Sequence, residues 1–239
     1  ALIMRSAGCV INDFTDRKLD ARVKRTRDRP LVTGEVAPAE AIVLFVALIM
    51  IALGLVLTLD RATQLLAVGA TFLTIIYPFF KRFFAAPQLI LGIAFAWAIP
   101  MAFTAHTGEV SRLAILLALA VVVWAVIYDT MYAMADRVDD LKAGIRSTAI
   151  LFGQADVFVI VILQFLFLLA LLLVGEVAGL GMWYRLSLLS CTLFMLYQYS
   201  LIRKRDPENC FRAFLNNRYI GATVFTGIIL SYTFDPLTG

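Results

Sequence analysis

Charged side chains, and the nitrogen and sulfur ligands of common metal sites, are scarce in this chain. Only 16% of its 239 residues are charged and 62% are hydrophobic, and it has one histidine and three cysteines. With a mean hydropathy of +0.88, it lies far outside the range of soluble globular domains. Cys9, Cys191 and Cys210 lack the spacing of a zinc or redox site, and His106 stands alone in a predicted turn. The composition indicates a polytopic membrane protein without a thiolate or imidazole centre.

Long uncharged stretches recur along the whole sequence. They cover residues 41–59, 62–80, 83–105, 113–128, 157–175, 186–202 and 219–234. Each approaches, with its flanks, the ~20 residues that a helix needs to cross the hydrocarbon core. Backbone inside lipid must satisfy its hydrogen bonds within helices, so an all-α bundle is predicted. Residues 1–12 are interpreted as the second half of one more spanning helix, and the chain is therefore expected to begin inside a longer protein.

The basic residues are distributed unevenly between the two predicted sides of the membrane. Of the 21 Lys and Arg residues, 17 fall in connections on one side and three, Arg61, Arg112 and Arg185, on the other, with Arg5 inside a helix. By the positive-inside rule the richer side is cytoplasmic. This asymmetry also accounts for the basic pI of about 9.1, and no nucleic-acid-binding surface is predicted.

Carboxylates are concentrated in two short runs on that cytoplasmic side, which hold seven of the 17 Asp and Glu residues. One run contains Asn12, Asp13, Asp16 and Asp20, and the other contains Asp129, Asp136, Asp139 and Asp140. Residues four apart share a helix face, and like charges at that spacing repel, so a cation is expected between them. Oxygen ligands suit Mg²⁺, which leaves positions for substrate phosphates. The runs predict a magnesium and diphosphate site; the alternative is two solvated helix ends outside the membrane.

Four motifs together resemble those of the UbiA superfamily of membrane aromatic prenyltransferases. They are Asn12-Asp13-x-x-Asp16-x-x-x-Asp20, Arg27-Asp28-Arg29-Pro30-Leu31, Tyr77-Pro78-x-x-Lys81-Arg82 and Tyr128-Asp129-x-x-Tyr132-Ala133-x-x-Asp136-Arg137-x-Asp139-Asp140. Residues 5–13, 147–153 and 210–217 are similar in particular to bacterial members that act on 4-hydroxybenzoate. The resemblance implies a polytopic transmembrane bundle of nine helices around a cavity open to lipid. Residues 1–239 would supply about eight of them, as one membrane-embedded domain that lacks the family's first helix.

The resemblance also implies an activity. A polyprenyl group, with octaprenyl expected, would pass from its diphosphate to the ring carbon ortho to the hydroxyl of 4-hydroxybenzoate, an early membrane step of ubiquinone biosynthesis. Mg²⁺ is the implied cofactor, and the two substrates and the lipid bilayer are the implied partners. The implied location is the bacterial inner membrane with the active-site loops in the cytoplasm. Two alternatives stay open, namely a superfamily member that acts on dihydroxynaphthoate, homogentisate or haem, and a polytopic ion-coupled transporter.

Roles for individual residues follow from the same resemblance. Asn12, Asp16, Asp136 and Asp140, helped by Asp13, Asp20 and Asp139, would hold Mg²⁺ and the diphosphate. Further positive charge for the diphosphate would come from Arg22, Arg27, Arg29, Lys81, Arg82 and Arg137. Anionic lipid contact is the alternative role for the arginine-rich loop, and anchoring at the membrane surface is the alternative for Lys81 and Arg82.

Deeper residues are expected to serve the organic part of the reaction. Tyr77, Tyr128 and Tyr132 would stabilise an allylic carbocation through their ring faces, the alternative being ordinary interfacial aromatics. Asp129, which lies deeper than Asp136, would orient or deprotonate the phenol. Arg5 is expected to pair with Asp13 or to receive the carboxylate of the benzoate.

Overall fold

The structure, a computed structural model, describes residues 2–21, 26–80 and 84–235, without the side chains of residues 19 and 77–79. Eleven α-helices and one short 3₁₀ turn, Gly153–Ala155 between α8 and α9, account for the regular structure of these residues. The helices are α1 Leu2–Asp20, α2 Pro30–Thr33, α3 Pro38–Val56, α4 Arg61–Phe80, α5 Pro87–Ala96, α6 Ala98–Thr107, α7 Arg112–Ala143, α8 Thr148–Phe152, α9 Asp156–Val177, α10 Met182–Ile202 and α11 Pro207–Phe234. The predicted all-α fold is confirmed.

Four stretches of the described chain are long and apolar enough to cross a membrane. They are Pro38–Val56, Pro87–Thr107, Arg112–Ala143 and Thr148–Val177. The second consists of α5 and α6, and the fourth of α8, the 3₁₀ turn and α9. Large apolar side chains such as Phe158, Phe165 and Leu189 are exposed along these and neighbouring helices, as they are on a surface that faces lipid. The chain is therefore a membrane protein.

The helices α10 and α11 are long but less apolar than these four stretches, because they contain more polar side chains. Several of those side chains form hydrogen bonds inside the bundle. Gln198 of α10 is fully buried, accepts a hydrogen bond from Gln164 of α9 at 3.0 Å and donates one to Asn216 of α11 at 3.0 Å. Asn217 accepts a hydrogen bond from the indole of Trp124 in α7, also at 3.0 Å. A buried chain of amides thus joins α9, α10 and α11, and α11 to α7.

Small residues let α5 and α7 approach closely. Ala114, Ala120 and Ala125 of α7 are fully buried, and a Cβ atom at Gly92 of α5 would lie only 3.0 Å from the carbonyl oxygen of Val122. Close backbone approach through small residues is the usual way in which helices pack in membranes. The resulting contact fixes the axis of α7 within the bundle.

The length of α7 determines where its acidic residues lie. Its 32 residues correspond to about 48 Å of helix, which exceeds the ~30 Å of a hydrocarbon core. The hydroxyl of Ser111 caps its first turn by accepting from the backbone N–H of Ala114, and Gly144, with φ of 68°, ends it in the left-handed conformation. The last turns, which carry Asp136 and Asp140, therefore project past the apolar segment.

Candidate active site

The first acidic run occupies the last turns of α1. Asp16 is only 1% exposed and Asp20 is also buried, whereas Asn12 and Asp13 are partly buried. Arg29, in the loop that leads to α2, places Nη1 2.7 Å from Oδ1 of Asp13 and 2.9 Å from Oδ2 of Asp20. Burial raises the pKa of Asp20 above its usual value, and the nearby guanidinium of Arg29 partly offsets this effect. The guanidinium of Arg29 thus lies between Asp13 and Asp20, and a Mg²⁺ ion at the carboxylates four residues apart stays a prediction.

Asn12 offers a ligand atom beside this cluster. Its Oδ1 atom is buried and accepts no hydrogen bond within residues 2–21, 26–80 and 84–235. Asn12 lies one turn before Asp16, so the two side chains share a helix face. An unsatisfied buried carbonyl oxygen beside a buried carboxylate is the donor chemistry that Mg²⁺ prefers, and these residues fit that ion.

The second acidic run lies on the projecting end of α7. Asp140 is buried, and Asp136 and Asp139 are partly buried. In the described part of the chain, no group of three or more His, Cys, Asp or Glu side chains is close enough to hold a metal by itself. Mg²⁺ is commonly held by one or two carboxylates together with substrate phosphates, so the donors on α1 and α7 suit an ion that shares its ligands with a diphosphate.

Arg5 of α1 and Asp129 of α7 both lie close enough to Tyr128 to act electrostatically on its phenol. Asp13 pairs with Arg29 and not with Arg5, so the predicted pairing of Arg5 with Asp13 is wrong. Eight residues separate the two on α1, about 12 Å along the helix axis, whereas the loop brings Arg29 directly over Asp13.

An aromatic cluster lines the junction of α7 and α11. The ring of Tyr132 packs edge to face against Phe214 with a centroid distance of 4.9 Å, and Tyr128 lies 6.1 Å from the same ring. Phe211 stacks on Phe214 at 5.8 Å, and Trp124 contacts Tyr128 at 5.6 Å. Phe211 and Phe214 were not predicted to join this cluster, although their spacing of three residues after the α10–α11 turn predicts that they share one face of α11.

The predicted basic residues have different surroundings. Arg27 is exposed and lies 3.8 Å from Asp28, whereas Arg29 bridges the acidic run of α1. The side chain of Arg137 donates a hydrogen bond to Asp156, a contact that the sequence did not predict. Outside the described residues lie Arg22, Lys81, Arg82 and the side chain of Tyr77.

Asp156 is the centre of a buried ionic cluster at the start of α9. It is fully buried and receives Arg137 from α7 and Arg205 from the α10–α11 turn, with Arg205 Nε 2.9 Å from its Oδ1 atom. Its own helix contributes a further donor, the backbone N–H of Val157 at 2.7 Å. A lone carboxylate at the head of an apolar segment was the available sequence signal for this cluster.

Known proteins resemble this chain in sequence over nearly its whole length. The UbiA prenyltransferase family model matches residues 1–233. The chain is 51% identical over 230 residues to a 4-hydroxybenzoate octaprenyltransferase of Aeromonas salmonicida, covering 96% of this chain and 80% of that protein. It is 52% identical over 229 residues to a protein of the same name from Saccharophagus degradans, covering 96% and 77%.

Solved structures share the fold. The apo structure of a UbiA homolog from Aeropyrum pernix K1 matches with a TM-score of 0.84 and 25% identity, covering 96% of this chain and 86% of that chain. A UbiA homolog from Archaeoglobus fulgidus bound to GPP and Mg²⁺ matches with a TM-score of 0.67 and 21% identity, covering 95% and 84%. The second likeness concerns the fold alone.

Proposed function

The chain belongs to the UbiA prenyltransferase family, and we infer from this that it transfers a polyprenyl group from polyprenyl diphosphate to 4-hydroxybenzoate. The observation that carries the inference is the identity of about half of all residues to proteins named 4-hydroxybenzoate octaprenyltransferase, across 96% of the chain. The match over residues 1–233 supports a single membrane-embedded domain. No observation favours the transporter or another aromatic acceptor.

The reaction forms one bond and breaks one bond at the allylic carbon. The C–O bond to the diphosphate breaks, the ring carbon ortho to the phenol oxygen bonds to the freed allylic carbon, and one ring proton is released. A carbocation of this kind needs an apolar pocket that excludes water, because water would otherwise capture it. The partly buried aromatic cluster between α7 and α11 supports such a role, because its rings offer an apolar surface.

We assign Mg²⁺ to the two acidic runs. Asn12, Asp16, Asp136 and Asp140 would hold it, with Asp13, Asp20 and Asp139 in support. When bound, the ion neutralises the charge that develops on the departing diphosphate. The buried, unsatisfied Oδ1 atom of Asn12 supports the assignment.

The basic residues supply the remaining positive charge around the diphosphate. The assignment covers Arg22, Arg27, Arg29, Lys81, Arg82 and Arg137. Arg29 has the clearest structural support, since its guanidinium already lies over the acidic run of α1. In that position it can donate to a phosphate oxygen while it remains close to both carboxylates.

Aromatic rings would stabilise the carbocation. Tyr128 and Tyr132, together with Tyr77, are the residues assigned to this role, and Phe211 and Phe214 extend the aromatic surface next to them. The faces of such rings attract cations, more strongly where water is excluded. The T-shaped packing of Tyr132 on Phe214 holds one ring in a fixed orientation.

The aromatic acceptor is assigned to Asp129 and Arg5. Asp129 would orient or deprotonate the phenol, and Arg5 would receive the carboxylate. The electrostatic effect of both residues on the phenol of Tyr128 supports this pairing of roles, because it places both charged groups near one tyrosine. An ionisable residue at this depth in a membrane protein is usually functional.

We place the protein in the bacterial inner membrane with the acidic runs on the cytoplasmic side. The support is the distribution of basic residues, 17 of 21 on one side of the predicted topology. Labelling of single cysteine variants with an impermeant thiol reagent tests it. Arg27→Cys should react only after the membrane has been permeabilised, because the reagent cannot otherwise reach the cytoplasm. Glu109→Cys should react in intact spheroplasts.

Competition between acceptors tests the proposed substrate. Membranes that contain the protein, octaprenyl diphosphate and Mg²⁺ are supplied with equal amounts of 4-hydroxybenzoate, 1,4-dihydroxy-2-naphthoate and homogentisate. The expected lipid-soluble product is 3-octaprenyl-4-hydroxybenzoate. Preferential prenylation of either other acceptor would overturn the substrate assignment and leave the family assignment intact.

A further inference from the structure

Asp156 is a buried carboxylate for which the proposed reaction has no use. It lies at the first turn of α9, is fully buried, and is not part of either acidic run. Two arginines from other parts of the chain converge on it, Arg137 of α7 and Arg205 of the α10–α11 turn. Three segments that are distant in sequence therefore meet at one side chain.

Both carboxylate oxygens of Asp156 accept hydrogen bonds, whereas the Nε atom of Arg137 is buried and finds no acceptor among the described residues. Oδ1 of Asp156 accepts hydrogen bonds from Nε of Arg205 at 2.9 Å and from the backbone N–H of Val157 at 2.7 Å. Oδ2 accepts from Arg137. The guanidinium of Arg205 also donates to the carbonyl oxygen of Gln154 at 2.7 Å. Arg205 is the non-glycine residue with positive φ, 55°, in the described chain, so the turn is held in an uncommon backbone conformation that brings its side chain to Asp156.

A buried ion pair usually contributes little net stability. Taking a charge out of water costs several kcal/mol, which the attraction between the two charges offsets only when the geometry is excellent, and apolar replacements of similar volume are often at least as stable. Such groups are better explained where they specify one arrangement of the chain. The arrangement specified here is the position of α7 relative to α9 and the α10–α11 turn.

Arg137 lies within the acidic run of α7, so the contact with Asp156 affects where the acidic residues lie. Arg137 directly follows Asp136, and Asp140 lies three residues further on. A second contact fixes α7 two turns earlier, where the hydroxyls of Thr130 and Thr148 lie 2.7 Å apart. Beyond Arg137 the helix continues for less than two turns before Gly144 ends it. The contact with Asp156 thus holds α7 one residue after Asp136 and three residues before Asp140.

We propose that Asp156 is a positioning residue for the reaction, which acts through Arg137 to fix the projecting end of α7. This sets the place from which Asp136 and Asp140 meet the diphosphate that α1 presents. Asp156 itself touches neither substrate. The proposal rests on the proposed function, because it deepens the role of the same site.

Substitution of Asp156 by Asn tests the proposal, since it removes the charge and keeps the size. The half-activating Mg²⁺ concentration and the KM for octaprenyl diphosphate should each rise by about 10–100-fold, the usual effect of losing a group that orients a metal ligand. The KM for 4-hydroxybenzoate should change much less. Asp206→Asn is the matched control, because Asp206 caps α11 by accepting from the N–H of Asn209 at 3.0 Å and Asn caps equally well.

A binding measurement that does not depend on turnover complements the kinetics. The purified protein in detergent is heated with and without Mg²⁺ and geranyl S-thiolodiphosphate, a diphosphate analogue that ionises slowly. Both the wild-type protein and Asp206→Asn should be protected against unfolding, and Asp156→Asn should lose most of that protection. Full protection of Asp156→Asn with unchanged KM values would overturn the proposal, whatever its melting temperature without ligand.

Two further variants keep the test decisive if Asp156→Asn does not fold. Arg205→Lys should raise the half-activating Mg²⁺ concentration more than Arg212→Lys does, because Arg205 holds Asp156, Arg212 pairs with Glu208 at the surface, and neither arginine is assigned to the diphosphate. Equal effects that follow the loss of thermal stability would show a purely structural cluster and overturn the proposal. Failure of the proposed function is distinguishable from this result, since the wild-type protein itself would then form no prenylated 4-hydroxybenzoate.

Discussion

Nη1 of Arg29 lies 2.9 Å from Oδ2 of Asp20, across the loop that follows α1. The same nitrogen lies 2.7 Å from Oδ1 of Asp13, two helical turns earlier. One guanidinium group thus balances two carboxylates that would otherwise repel each other on one helix face. It also lies over the acidic run of α1, where we place the diphosphate.

Replacement of Arg29 by Gln should weaken diphosphate binding. Asp13 and Asp20 would lose the cation that they share, and the diphosphate would lose a hydrogen-bond donor. A hydrogen bond to a charged group contributes roughly 1.5–3 kcal/mol. A rise of at least about tenfold in the KM for octaprenyl diphosphate is expected, as measured in membranes at saturating 4-hydroxybenzoate.

Arg212→Gln is the matched control for that change. Arg212 forms an exposed ion pair with Glu208 at 2.8 Å on α11, and such pairs contribute little. A KM in Arg29→Gln that equals the value of this control would contradict a diphosphate role for Arg29.

Loss of the Asp129 carboxylate should affect the chemical step more than substrate binding. In Asp129→Ala the phenol has no base to orient or deprotonate it, so kcat should fall by about 100-fold or more, the usual contribution of a positioned general base. Protection by Mg²⁺ and the diphosphate analogue against thermal unfolding should stay close to that of the wild-type protein. Equal loss of kcat and of protection would instead assign Asp129 to the metal site.

The aromatic cluster should govern the fate of the carbocation. Phe214→Leu removes the ring that orients Tyr132, and a desolvated cation–π contact contributes ~2 kcal/mol, or roughly 30-fold in rate. We expect slower prenyl transfer and a larger share of free octaprenol, formed when water captures the cation. The two products are separated by chromatography of the lipid extract.

Phe194→Leu controls for the loss of a ring elsewhere in the bundle. Phe194 stacks on Tyr219 with a centroid distance of 5.8 Å, away from the cluster on α7. Phe194→Leu should lower the stability of the protein without changing the ratio of prenylated product to free octaprenol. A ratio that shifts in both variants alike would remove the special role of Phe214.

The buried amides of the bundle make a separate prediction about stability. Gln198→Leu should leave Gln164 and Asn216 without their hydrogen-bond partner and lower the free energy of unfolding by about 1–3 kcal/mol. The double variant Gln164→Leu/Gln198→Leu should recover part of this loss, because it also removes the stranded Gln164 amide. The melting temperatures of the single and double variants in detergent report these changes in stability. A double variant that melts below Gln198→Leu would contradict the role of this hydrogen bond.

The helices and their chemistry could be predicted from sequence because both depend on local pattern. Apolar runs of spanning length determine the bundle, and side chains four residues apart share a face, so the expectation that Asn12, Asp16 and Asp20 form one stripe required no tertiary information. That Arg29 binds Asp13 and Asp20 depends on how the chain folds back over α1. The expected pairing of Arg5 with Asp13 failed for the same reason, because it considered one helix and not the loop over it.

Contacts between distant segments account for most of what the sequence did not reveal. Phe214 joins Tyr132 across 82 residues, and Asp156 joins Arg205 across 49, through the packing of α7, α9 and α11. Asp156 also lies at the head of an apolar helix, where a carboxylate is ordinarily explained as a solvated helix start. Its full burial, which reveals the ionic cluster, is a property of the folded bundle.

The dependence of product formation on Mg²⁺ in Asp16→Asn and Asp136→Asn tests the central claim most directly, since one variant alters α1 and the other α7. Membranes with equal amounts of folded protein receive radiolabelled 4-hydroxybenzoate and octaprenyl diphosphate, with Mg²⁺ or with EDTA. We expect a lipid-soluble labelled product from the wild-type protein with Mg²⁺ only, and essentially none from either variant. Near-normal product from either variant would contradict a metal site shared between the two helices.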